Sequence, residues 1–97
     1  LPDFVYFIHS AHVANGVPCT ACHGRADEMA MTERAQSLHM RWCLGCHRNP
    51  QAHLVVPAEV FSTLARGSSD PAEQHRLLTR YGLNMRRWLT DCSTCHR

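Results

Sequence analysis

Apolar residues in this chain come in short bursts separated by polar, cysteine-bearing stretches, and the bursts change character along its length. Residues 1–8, LPDFVYFI, are aromatic and β-branched, which predicts an extended segment or strand, with Pro2 opposing a helix. A turn follows around Asn15 and Gly16. Residues 26–36 favour helix but lack a clean apolar stripe, and Arg48, Asn49 and Pro50 read as a second turn. Residues 54–91 hold no cysteine and read as a helical insert. Within it Val60, Phe61 and Leu64 are spaced to share a helical face, with Pro57 at the start and Gly67 as a stop. The next helix is better marked: Asp70 as cap, Pro71 at the first helical position, Glu73 three residues after the cap, and Gly82 at the end. Leu77, Leu78 and Tyr81 supply its buried side. A third short helix is expected from Asn84 into Cys92, with Met85, Trp88, Leu89 and Cys92 on one side.

Size alters this picture. A chain of 97 residues forms one domain, and at that length a core of side chains alone buries too little surface for comfortable stability. The expected class is mostly α and irregular with little regular sheet, supplemented by something other than amino acids. The six cysteines say what. They form three C-x-x-C-H units: Cys19, Cys22 and His23; Cys43, Cys46 and His47; Cys92, Cys95 and His96. This is the pattern of covalent c-type haem attachment, in which two thiols add to porphyrin vinyl groups and the adjacent imidazole takes an iron axial site. A disulfide scaffold gives no reason for a histidine after every second cysteine, and paired zinc sites give none for a third matching repeat. A thioredoxin-like pair needs a strand-to-helix setting that is missing here. Three haem c groups are therefore expected, and the chain reads as a single triheme domain folded around them, residues 1–97.

Charge adds one exclusion. The formal net charge is +2, and all ten cationic side chains are arginine. Two propionates per haem would bring the loaded protein near neutral or mildly acidic, so the basic balance does not point to nucleic acid. Arginine, with its bidentate fork for carboxylates, suits propionate pairing as well as solvated surface. Met29, Met31 and Met40 read as soft filler against porphyrin or as iron ligands, and Trp42 as a haem-packing residue. No apolar run is long enough to span a bilayer. Covalent haem attachment implies a periplasmic or otherwise extracytoplasmic compartment, and an upstream signal or anchor is expected.

The segment Phe7, His9, His12 ahead of the first motif resembles the F-x-H-x-x-H element of small multihaem cytochromes of the c3 and c7 type. The phrases HSAHVANGVPCTACHGRADEM, MRWCLGCHRNPQAHL and LTDCSTCHR, about half the chain, further resemble the multihaem cytochrome subunit of alternative complex III, a quinol-oxidising assembly. That subunit carries more haems, so the chain looks like a shorter relative or a triheme domain of one. The resemblance implies that His9 ligates the haem on Cys19 and Cys22 and that His12 reaches a neighbouring one, expected to be the third. With His23, His47 and His96 as proximal ligands, one distal ligand remains, ranked His53, then Met40, then His39. His75 is expected at the surface. A Met ligand would raise the potential of its haem.

The expected function is single-electron transfer in a respiratory or photosynthetic chain, without bond chemistry and so without enzymatic turnover by this chain itself. Expected partners are a quinol-oxidising or iron–sulfur complex and other cytochromes, with possible association to a membrane complex. The alternative is a small-molecule reductase in which one haem is five-coordinate and His39, His75 or arginines serve the distal side.

Overall fold

A computed structural model describes residues 1–96, the side chain of Arg87 excepted. Among these residues five short α-helices carry the fold: α1 His9–Val13, α2 Cys19–His23, α3 Met40–Arg48, α4 Pro71–Arg80 and α5 Cys92–Cys95. Irregular chain and single 3₁₀ turns join them. Among the described residues no sheet forms, and the strand expected over residues 1–8 reduces to one antiparallel bridge between Val5 and His96. The mostly helical and irregular class is as expected.

Helix α4 follows its sequence signals. The Asp70 carboxylate accepts from the Ala72 N–H at 3.2 Å, Pro71 opens the helix, and the chain leaves it at Tyr81 and Gly82. Glu73 departs from the capping box: it pairs forward with Arg76 at 2.5 Å. Leu77 is buried, and with Leu54 and Leu83 it forms a core that Val17, Val56, Leu78 and Tyr81 flank.

Three expected helices are not there. Residues 26–36 give only a 3₁₀ turn, Ala26–Glu28, consistent with the missing apolar stripe: without a face to bury, tertiary packing adds nothing to weak propensity. Between Pro57 and Gly67 only the turn Pro57–Glu59 forms; Val60 is buried, whereas Phe61 and Leu64 are each 73% exposed. Gly67 is no helix stop there. It lets the chain pass the Ala52 carbonyl, whose oxygen would lie 1.9 Å from an added Cβ. The helix expected from Asn84 into Cys92 breaks into the turns Leu83–Met85 and Arg87–Thr90, leaving Met85 and Trp88 exposed.

The insert also divides its work. Its first half braces the first cysteine motif: the Cys19 N–H donates to the Val60 carbonyl, the Thr20 hydroxyl to the Ala65 carbonyl, and the Val55 N–H to the Gly16 carbonyl. Its second half, α4 and the turns after it, lies against α3 and the turn Pro50–Ala52 behind the second motif.

Gly16 ties these parts together. Its φ is +79°, and the Tyr81 ring lies against it while the Tyr81 hydroxyl donates to the Val55 carbonyl at 2.5 Å. A Cβ at position 16 would stand 2.3 Å from Tyr81 Cε2. Gly16→Ala is therefore expected to destabilise by about 2–4 kcal/mol, from left-handed strain plus overpacking. Thermal melts read by circular dichroism check this; an unchanged Tm would mean the ring swings clear at no cost.

The core is small for the chain. Among the described residues Leu54, Val55, Val60, Leu77 and Leu83 are the buried hydrophobics, while Phe4, Phe7, Ile8, Met31, Met40, Phe61 and Trp88 are among the large apolar side chains left exposed. Domains of this size that hold together on so little core have an additional staple.

Candidate cofactor-binding centre

Each C-x-x-C pair sits on one helical turn, which puts both thiols on one helix face. Cys19 and Cys22 belong to α2 with His23 as its last residue, and Cys43, Cys46 and His47 all belong to α3. Cys92 and Cys95 bound α5, and His96 lies just beyond it in extended backbone. All six thiols are free; Cys19 and Cys92 are exposed and the other four half-buried.

The three motifs gather around the second. Burial pushes the Cys22, Cys43 and Cys46 thiols up from their usual range, and neighbouring thiols push the same way: Cys43 and Cys19 on Cys22, Cys95 on Cys43, Cys22 and Cys43 on Cys46. Cys43 thus stands near both the first motif and the third.

Two histidines are held in a common orientation. His47 Nδ1 lies 2.6 Å from the Leu89 carbonyl oxygen, and His12 Nδ1 lies 3.0 Å from that of Ile8. A carbonyl can only accept, so each Nδ1 carries the proton and each Nε2 keeps its lone pair for a metal. The two rings are neighbours, with centroids 6.1 Å apart and planes at 48°. A separation of that size leaves room for one metal ion between two Nε2 atoms at metal–nitrogen bonds of about 2.0 Å. Phe7 stacks on His12 at 4.3 Å and meets His9 edge-on at 4.8 Å, and Phe4 faces His96 at 5.6 Å.

The other expected ligands are more scattered. His9 opens α1 with its ring on Phe7, and no ring contact joins it to His23 among the described residues. Met40 opens α3 and is 60% exposed, and His39 caps that helix through its backbone. His53 lines a cleft of about 600 Å³ with Trp42, Arg25 and Arg66. Thr20, Ala21 and Gly24 line that cleft too, whereas Cys19, Cys22 and His23 do not, so it opens on the α2 face turned away from the cysteines. His75 is exposed on α4, as expected. A second cleft of about 390 Å³ runs beside His47, with Arg48 and Arg86 in its lining.

Among the described residues no three His, Cys, Asp or Glu side chains converge on one point as a protein-only metal site requires. A porphyrin supplies four of six iron ligands itself and asks the protein for two thiols and one or two axial groups. The donor sets present fit that demand and not a tetrahedral zinc site.

Sequence reasoning missed the groups that orient the histidines. The Leu89 and Ile8 carbonyls are backbone atoms and leave no side-chain signal, although a helix over residues 9–13 would have offered His12 the carbonyl four residues back. Arg25 was open to propionates by sequence but is engaged with Asp27 and Glu28 at 2.9 and 3.0 Å. No helix among the described residues is long and apolar enough to cross a membrane. No protein-family model matches the chain, and no curated protein matches it.

Proposed function

We propose that this chain is an electron-transfer protein carrying three covalent c-type haems, on Cys19 and Cys22, Cys43 and Cys46, and Cys92 and Cys95, with His23, His47 and His96 as proximal ligands. The observation that carries this reading is the His12–His47 pair, each ring with Nδ1 on a carbonyl and the two spaced for a shared metal. His12, expected from the resemblance to serve the third haem, is assigned to the second on this ground. His9, His53 and Met40 remain to complete the other two sites.

Bound haem supplies one-electron exchange between ferric and ferrous iron. The protein's part is to hold axial imidazoles by their Nδ1 protons, to keep the second motif half-buried near the other two, and to offer Arg48 and Arg86 beside His47 as propionate partners. With both axial positions filled by histidine, a site has no place for substrate, which favours electron transfer over reduction of a small molecule. The same reading puts the protein in an extracytoplasmic compartment. Its partners are then redox proteins: a quinol-oxidising or iron–sulfur donor and a cytochrome acceptor.

Mass spectrometry of the mature protein is expected to give three haems per chain, and oxidised optical and EPR spectra are expected to be wholly low-spin. A stoichiometric high-spin component that shifts with nitrite, cyanide or peroxide would instead mark a five-coordinate, reactive haem. A far-red sulfur-to-iron band would select Met40 over His53.

A further inference from the structure

The three proximal histidines differ in what steadies their rings. His23 and His47 lie within helices α2 and α3, where the helical backbone fixes the direction of each side chain, and the Leu89 carbonyl also holds His47 Nδ1. His96 stands beyond α5 in extended backbone, at φ −105° and ψ 143°, and a phenyl ring faces it instead. Phe4 and His96 have centroids 5.6 Å apart and planes inclined by 33°, inside the roughly 4.5–7 Å at which aromatic rings attract. Backbone on both sides places Phe4 there. The Val5 N–H donates to the Pro2 carbonyl at 3.0 Å, closing a turn over residues 2–5, and Val5 itself bridges His96. Phe4 is 57% exposed, so its ring serves the imidazole it faces more than any core.

We propose that Phe4 is a positioning residue for the third haem, its ring fixing the plane of the His96 imidazole by direct contact, a role that rests on the haem reading above. The plane of an axial imidazole decides how it overlaps with the iron d orbitals, and so sets the magnetic anisotropy of a ferric haem and contributes to its potential. Phe4 lies three residues before Phe7, whose ring meets His9 and His12, so the two phenylalanines serve different ligands.

The test uses the mature protein, whose mass first counts the haems: a chain without haem would sink the haem reading itself, whereas with three haems the outcomes below judge this proposal alone. In the fully reduced, diamagnetic protein, NOEs are expected between the ring protons of Phe4 and His96, and their absence would refute the contact without any substitution. Phe4→Leu keeps an apolar side chain in the segment and removes the aromatic face; Phe4→Tyr keeps the face. Paramagnetic NMR of the oxidised protein resolves haem methyl signals site by site and responds to the orientation of axial imidazoles. In Phe4→Leu the signals of the haem on Cys92 and Cys95 are expected to shift while those of the other two stay, and Phe4→Tyr is expected to keep the original pattern. Unmoved signals at the third haem in Phe4→Leu would overturn the proposal. Shifts at the second haem as large as those at the third would overturn it too, because they report undocking of the whole segment, passed through Ile8 and Phe7 to His12, and not the loss of one ring.

Discussion

Replacing Cys43 and Cys46 together by serine is expected to give a chain that does not accumulate as a folded protein, whereas the same double change at Cys92 and Cys95 yields a weakened protein with two haems. The difference follows from place. Cys43 and Cys46 lie on the longest of the motif helices, close enough to thiols of both other motifs to be raised by them, while Cys92 is exposed at one end. Under the proposed function the second haem is therefore the part most of the chain wraps. Even the ~250 Å² of an indole is worth about 6 kcal/mol at ~25 cal/mol per Å², and a porphyrin is larger. That matches a large share of the ~5–15 kcal/mol that holds an ordinary domain together. With five buried hydrophobic residues among those described, this chain has little to set against the loss. Haem counts by mass and thermal melts of the two variants decide it: equal stability would mean the second motif is no more central than the third.

The second large effect is expected from His12→Ala. One haem should become high-spin, it should be the one on Cys43 and Cys46, and added imidazole should restore its low-spin spectrum by filling the space of the lost ring. The Nδ1 bond to Ile8 and the stack on Phe7 are lost with the ring, but α1 keeps its backbone, so haem content is expected to stay at three. His12→Met at the same position is expected to raise that haem's potential. A variant that stays entirely low-spin would remove His12 from the ligand set, and a high-spin signal assigned to the first or third haem would move it elsewhere.

What could be read from sequence follows how local the cause was. The Asp70, Pro71 and Gly82 signals specify α4 within a few residues, and Asn15 with Gly16 specifies its turn, because caps and left-handed backbone are decided by near neighbours. The C-x-x-C-H motifs were legible as residue patterns, but the helical turns that carry them, α2, α3 and α5, were not expected from the sequence. Apolar periodicity did worse. Val60, Phe61 and Leu64 have helical spacing, but a stripe directs a helix only where a core receives it, and here only Val60 is received. Met85 and Trp88 fail for the same reason. The partner of His12 was beyond reach in another way: spacing puts His9 and His12 on one turn, yet whether His47 or His96 stands opposite depends on how residues 4–8 dock on the far end of the chain.

That docking has a consequence in time. Tyr6 and the Ser93 carbonyl it bonds are 87 residues apart, so the second is synthesised well after the first. At ~5–20 residues per second the aromatic segment waits about 4–17 seconds for its partner. During that interval Phe4 lacks the His96 ring it faces and Val5 the residue it bridges, while the first and second motifs have already been made. Closure of residues 4–8 onto residues 93–96 is then a late step of folding, and a product arrested before Cys92 cannot make it.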